Sequence, residues 1–459
     1  MRKEYKIYDF LFFLFLLSTF YILIYNIFHY APILGYDAEA HYTYVDHISR
    51  YLPRSLNLPS PIDTREFFNP PLGYLVPALS QVVCRNIIES QNFLEDCRPI
   101  YGNVTQIFQS FLYLFSIYIN LLTLKKINNS KNIINLSYLI MVSLLAVNYR
   151  TISMIRGEPY ILFFLSIFLY FIFKIEKQNF NFIFKDIIFL GLSIGGIALS
   201  RQWGFLLFLP LIYLLFTKHV KSKINYLKIW GSSSIIGFLI SGWFYINLYF
   251  ETGSFTAFNM NRNSFSIANQ PINFYFPTIE NIQYLFYKPI RPYLDNQFIT
   301  SLYADLWGDY WGYFTFTSGF LNIGRNQNII GDYFARVNLI SVITTIIIIF
   351  FYVLSYRSKK TFLFIKYINL AIISSFIGYV IFLILYPVGN GDTIKATYII
   401  QMFHLIVFLA SISLEKLKNS NLYLYNSVII TLLVIYMHNF DTYLSHFPMA
   451  FINQLKQNF

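Results

Sequence analysis

The stretch Gly35-Tyr-Asp-Ala-Glu-Ala-His-Tyr42 decides how this chain is to be read. It follows an apolar run, roughly Phe10 to Phe28, at the point where a membrane helix would leave the bilayer. An acid so close to hydrocarbon is expensive to keep without a task. Four-residue spacing sets Asp37 and His41 on one face of a helix. A carboxylate placed there can act as general base toward a hydroxyl that meets it at the membrane surface. The plainer alternative makes Asp37 a helix cap and His41 a side chain reaching for water.

Composition widens this into a fold class. The 459 residues are 56% hydrophobic and 20% aromatic, and only 12% are charged. Soluble domains carry about 25% charged residues. The sequence therefore predicts an all-α polytopic membrane protein with about eleven transmembrane helices. They are expected at 10–28, 107–124, 133–148, 159–173, 187–200, 203–217, 229–249, 338–356, 367–386, 397–414 and 421–438. The first lacks a small-residue cleavage site and is expected to be a retained helix.

The net charge of +12 has a topological origin. With the N-terminus cytoplasmic, the inner segments hold 19 basic residues against 5 acids, and the outer ones 15 against 17. That is the positive-inside distribution, and no nucleic-acid partner is expected. Seventeen of the inner basic residues are Lys, including Lys125, Lys126, Lys218, Lys221 and Lys223; twelve of the outer ones are Arg. Lysine suffices as a topology anchor, whereas arginine's planar fork suits bidentate contact to phosphate or carboxylate. Most outer arginines are expected to pair with outer acids. Arg150, Arg156 and Arg201 fall at predicted helix ends, the depth of a lipid phosphate, and are the candidates to bind one.

Two outer loops, 29–106 and 251–337, decorate what reads as a single membrane domain over residues 1–459. Each is expected to carry short interfacial helices. Asp37 to Leu52 predicts one, with Tyr44, Val45, Ile48 and Tyr51 toward the lipid interface. Prolines 53, 59 and 61 end it, and Pro71 to Val83 is apolar but too short to span. Cys84 and Cys97 both fall in the first outer loop and predict a disulfide there; two free thiols are the alternative. No Cys/His cluster of metal-ligand spacing, P-loop or dinucleotide fingerprint is present, and no cofactor is expected. The inner loops are too short to fold a nucleotide-binding domain, so chemistry is expected on the outer face.

About thirty residues after Asp37 comes Asn69-Pro-Pro-Leu-Gly-Tyr74, and Lys395-Ala-Thr-Tyr398 opens a late span. An Asp-x-x-x-His loop after the first span, a tyrosine-rich helix and Pro-Pro-Leu-x-Tyr together resemble the GT-C superfamily of membrane glycosyltransferases. More narrowly, they resemble the polyprenyl-phosphate-sugar enzymes related to protein mannosyltransferases and aminoarabinose transferases. The motif carriers are Asp37, His41, Tyr44, Pro70, Pro71, Leu72 and Tyr74, with Lys395 and Tyr398 farther on. Family members usually read Asp-Glu at the loop start; here Ala38 follows Asp37 and Glu39 comes next.

The resemblance implies a sugar donor on a polyprenyl phosphate and a hydroxyl acceptor on a glycan, lipid or protein, with no obligatory divalent ion. Asp37 would take the acceptor's proton, assisted by Glu39 or His41. The implied setting is a bacterial inner membrane with the active site on the outer face. Asp305, Trp307 and Asp309, in the second outer loop, would stack on and hydrogen-bond the sugar; packing of that loop is the alternative. Asp392 reads as a turn residue. The rival functions are a lipid-linked polysaccharide polymerase or ligase, which needs no acidic first loop, and a transporter, which the sequence supports with no paired repeats.

Overall fold

A computed structural model of the chain describes residues 2–31, 34–87, 93–128, 135–217, 222–315, 323–356 and 363–445. Lys218, Lys221 and parts of both outer loops (32–33, 88–92 and 316–322) lie outside the described residues, as do residues 133–134 of the third expected span.

Among the described residues every regular element is helical. In lipid each backbone N–H and C=O must be satisfied within the protein, and a helix does this within its own segment. Seven helices among the described residues are long and apolar enough to cross a membrane: Lys6–His29, Cys97–Ile127, Glu158–Lys177, Lys223–Thr252, Gly331–Tyr356, Leu363–Leu385 and Ala396–Ser420. Leu136–Ser143 and Ala146–Ser153 together make an eighth, bent by 65°. The remaining expected spans fall on shorter helices: Phe184–Ser200, Gln202–Leu207 continuing into Leu209–Leu215, and Leu422–His438. The protein is an integral membrane protein of bundled helices.

The bend is held by side chains that occupy the carbonyls it frees. Asn148 donates to Val142 O at 2.9 Å, and the Tyr149 hydroxyl to Ser143 O at 3.1 Å. The second half of the bent pair carries Arg150 into the protein interior. Close packing is set by small residues elsewhere: Phe184–Ser200 meets Lys223–Thr252 so tightly that a Cβ on Gly195 would sit 2.7 Å from the Ile240 Cβ.

Lysine-bearing helix ends meet one another. Lys177 reaches Lys126 O at 3.1 Å, and Glu176 accepts from the amides of Leu363 and Phe364 at 2.6 and 2.7 Å. The helix those amides begin, Leu363–Leu385, has 23 residues and is about 34 Å long. At its far end Asn263 N, Asn269 Nδ2 and Gln270 Nε2 cap the carbonyls of Leu385, Ile384 and Leu383. Those three caps come from the long segment 251–337.

The segment 29–106 differs from expectation in one respect. The helix Ala38–Tyr51 does exist, but Tyr44, Val45 and Ile48 face protein and not lipid. They pack with Tyr74, Ala78, Cys84, Tyr101 and Ile155. The partner helix is Leu72–Ile87, which lies in turn against Phe93–Ile127. A disulfide between Cys84 and Cys97, Cα atoms 5.9 Å apart, ties that second pair together.

Candidate active site

Asp37 precedes the first turn of Ala38–Tyr51 in a left-handed conformation, φ 54°, and its side chain makes no cap bond. The carboxylate turns away from the helix to two cations. Oδ1 meets Arg65 Nη2 at 2.8 Å and Oδ2 meets Lys395 Nζ at 3.3 Å. Burial alone would raise the Asp37 carboxyl; the charges of Lys395, Arg156 and Arg65 outweigh it and hold the group below the usual carboxylate range. Lys395 is itself buried, which disfavours its charge. The neighbouring Tyr398 and Asp37 reverse this and hold the ammonium firmly protonated. Its Nζ lies over the rings of Tyr36, Trp311 and Tyr398 at 5.1–5.8 Å.

The Pro-Pro-Leu-Gly-Tyr motif joins the same site through its ends. Tyr74 OH lies 2.6 Å from His41 Nδ1, and the Tyr44 hydroxyl donates to Asn69 O at 2.9 Å. Asn69 Nδ2 donates to Glu66, and its Oδ1 accepts from Arg201 Nη1. His41 shares a helix with Asp37 but looks toward Tyr74 and Glu66, whose Oε2 is 3.9 Å from Nδ1. Burial, with Arg156, Arg201 and Lys395 nearby, pushes the imidazole well below its ordinary value, so it is neutral. Its Nε2 is buried without a partner. Burial and then the Asp37 charge push Glu66 up.

The three singled-out arginines take different places. Arg156 donates from Nη2 to Tyr36 O at 2.6 Å, lies over the Tyr36 ring and leaves Nε unpartnered. Arg201 pairs with Glu158 at 3.2 Å and stacks on Trp203. Both join the Asp37 cluster. Arg150 lies elsewhere, with both Nη atoms held from within the protein. It binds Asp305 Oδ1 at 2.9 Å, Gly308 O at 2.6 Å and Asp305 O, with Asp309 at 3.7 Å.

The other expected residues divide in the same way. Glu39 is 76% exposed and faces Arg98 at 3.3 Å, away from Asp37. Asp305 is fully buried and accepts from Tyr36 OH and Ala396 N at 3.2 and 2.7 Å. Asp309 accepts the amides of Phe314 and Thr315 at 2.9 and 2.8 Å. Asp305 is thus held by Arg150, Tyr36 and backbone, and Asp309 by two backbone amides on one oxygen, its Oδ1 making no hydrogen bond. Trp307 is buried in its helix, and Trp311 is the tryptophan beside Lys395. Tyr398 sits against both Lys395 and Trp203. Asp392 lies 3.8 Å from Lys395. Among the described residues no three His, Cys, Asp or Glu side chains cluster as a metal site.

Trp203 and Tyr398 also line an apolar cavity of about 290 Å³ with Phe68, Phe258, Phe382 and Tyr386. Cations, a carboxylate and an apolar slot thus share one neighbourhood.

No protein-family model matches the sequence, and no curated protein sequence matches it. Among solved structures the chain is similar to ArnT from Cupriavidus metallidurans bound to undecaprenyl phosphate. The identity is 12%, over 87% of this chain and 77% of that one, with a TM-score of 0.39. ArnT from Cupriavidus metallidurans in the apo state is similar at 10% identity, 87% and 76% coverage and a TM-score of 0.37.

Sequence reasoning missed Tyr36, Arg65, Glu66 and Glu158. Arg65 and Glu66 lie in the proline-rich stretch after Tyr51, which has no periodicity to assign them a face. Glu158 had a signal: Gly157 precedes it, and a Cβ there would fall 2.1 Å from Ser200 O. Only glycine lets Arg156-Gly157-Glu158 approach Ser200-Arg201 so closely.

Proposed function

We propose that the protein is a GT-C-type glycosyltransferase that moves a sugar from a polyprenyl-phosphate carrier to a hydroxyl acceptor, with Asp37 as general base. One observation carries this reading: a carboxylate ringed by Lys395, Arg156 and Arg65 beside an apolar slot lined by Trp203 and Tyr398. An anionic headgroup with a hydrocarbon tail matches both halves of such a site.

In the proposed reaction the acceptor oxygen attacks the anomeric carbon and the bond to the lipid phosphate breaks. The phosphate leaves with the bonding pair while the acceptor's proton passes to Asp37. Proton removal by a positioned carboxylate is worth about 10²–10⁴-fold. Lys395 and Arg156 stabilise the charge growing on the phosphate. Arg201 braces the cluster through Asn69 and Glu158. His41, neutral and bound to Tyr74, orients the helix that carries Asp37. Glu39 and Arg150 take supporting parts, the first through Arg98 and the second through Asp305. The setting is the outer face of a bacterial inner membrane with the N-terminus cytoplasmic, and residues 1–459 act as one membrane domain.

Asp37→Asn keeps the shape and removes the basic charge. It should cut transfer by at least about 10²-fold while a polyprenyl-phosphate sugar still binds the purified protein. Transfer at the wild-type rate by that variant refutes the assignment.

A further inference from the structure

Both oxygens of Asp37 are occupied, one by Arg65 and the other by Lys395. A carboxylate has about four lone-pair sites, so a hydroxyl still finds room on it, but two cations in contact hold its basicity down, and loosening one of them makes it a better base. The two cations are unequal. Lys395 is 4% exposed, with its amide bound to Tyr379 OH at 2.7 Å and its Nζ walled by three rings. Arg65 is 55% exposed, and its backbone is fixed while its side chain reaches into solvent. Thr64 anchors the turn by donating to Ala40 O at 2.8 Å, and Glu66 does so through Asn69. A pair that is half exposed on the arginine side is weak and readily exchanged.

Resting on the transferase reading above, we propose that Arg65 is a phosphate-responsive clamp: it covers Asp37 Oδ1 until the donor's phosphate draws it off, which frees the base only in the donor complex.

The charges move in the direction that this exchange needs. The donor phosphate is a diester with one negative charge. When the bond from the anomeric carbon to the phosphate oxygen breaks, the electron pair stays on the phosphate, which gains a second charge. The acceptor oxygen forms the new bond to carbon, and its proton goes to Asp37 Oδ1. Negative charge thus leaves the carboxylate as it appears on the phosphate, and a mobile guanidinium can follow it. The groups facing Asp37 are Lys395, Arg156, Arg65, Glu66 and Tyr398. Of its two cationic contacts, Arg65 is the one that reaches solvent. Before donor binding, the neighbouring cations keep the carboxylate a poor proton acceptor. Early proton uptake, and with it attack by water, is suppressed.

A double-mutant cycle on the purified full chain tests this, with binding of a polyprenyl monophosphate as the readout. Asp37→Asn releases Arg65 in advance and should tighten binding about three- to ten-fold. Arg65→Gln should weaken it about ten-fold. With Arg65→Gln already present, the benefit of Asp37→Asn should shrink to within about two-fold. Plain repulsion between Asp37 and the phosphate predicts the opposite, a larger benefit once Arg65 no longer screens the carboxylate. An undiminished or larger benefit overturns the clamp.

A second measurement guards against a variant that folds poorly. The acid limb of kcat/KM reports the free enzyme. It should move to higher pH in Arg65→Gln and return toward wild type in Arg65→Lys. An unmoved limb in both also overturns the clamp. A wild-type chain that neither binds lipid phosphate nor transfers sugar refutes the transferase reading and the clamp with it. One that does both without the coupling refutes the clamp alone.

Discussion

Asp37 sacrifices local comfort for its position. A left-handed backbone costs a residue with a β-carbon on the order of 1 kcal/mol, and Asp and Asn tolerate it best. The residue also forgoes the cap bond that an acid before a helix normally makes. Asparagine is therefore the variant that tests charge without disturbing backbone. The arginines give a sharper contrast at this scale. Arg156 makes one side-chain hydrogen bond, to Tyr36 O, and its charge acts on Asp37, so Arg156→Lys should raise the donor KM about ten-fold with the fold retained. Arg150 is locked to Asp305 and two backbone carbonyls. Arg150→Met, which strands a buried carboxylate, should cost about 3–5 kcal/mol in a thermal unfolding series in detergent. Reversed outcomes, with Arg150→Met folding normally and losing donor affinity, would exchange their roles. The sequence ranks these residues alike because both are arginines near predicted helix ends. What separates them is Asp305, 155 positions away from Arg150, which no local pattern reveals.

At the scale of elements, the site is built by close approaches between segments distant in sequence. The turn at Gly157 touches Ser200, so that Glu158 reaches Arg201, and Gly73 packs against the same turn. Gly157→Ala has an allowed backbone, φ −83°, but no room for its methyl group. It should destabilise by about 1–3 kcal/mol and weaken donor binding, read by thermal unfolding and donor KM together. Normal values for both would mean that the turn relaxes freely. The disulfide closes the corner between Leu72–Ile87 and Phe93–Ile127. Replacing both cysteines by serine should cost about 3 kcal/mol in the chain-entropy model. An unchanged unfolding temperature would show that helix packing alone holds the corner. Legibility at this level is uneven. Periodicity reveals the helix after Asp37 and points its apolar face to lipid, whereas that face packs on Tyr74 and Tyr101. Hydrophobic pattern reports that a face is buried and not which apolar medium buries it.

Across the whole molecule, the described parts of the eleven apolar segments expected from sequence fall on helices, because a run of apolar residues has few other solutions in lipid. The number that cross was less legible: length alone does not reveal a 65° bend held by Asn148 and Tyr149. The charge division gives the strongest molecular-scale prediction. Lys126, Lys174 and Lys177 gather where Leu363–Leu385 begins, and Lys418 lies 4.2 Å from the Tyr8 ring at the start of the first helix. Lys395 and the site lie near the opposite end of Leu363–Leu385, through Tyr379. Positive-inside bias predicts the lysine end in the cytoplasm and the site on the outer side, the side on which the proposed lipid-linked donor would meet it. Two exposed positions separate the sides: Ile62, 95% exposed beside the site, and Tyr423, 89% exposed at the start of Leu422–His438. The native cysteines are paired and stay silent. In intact bacterial cells whose outer membrane has been made leaky, a membrane-impermeant maleimide should label Ile62→Cys at once. It should label Tyr423→Cys only after the inner membrane is opened. The reverse order would turn the protein over, leaving Asp37 facing a cytoplasm rich in nucleotide sugars, and the case for a lipid-phosphate donor would lose its topological support.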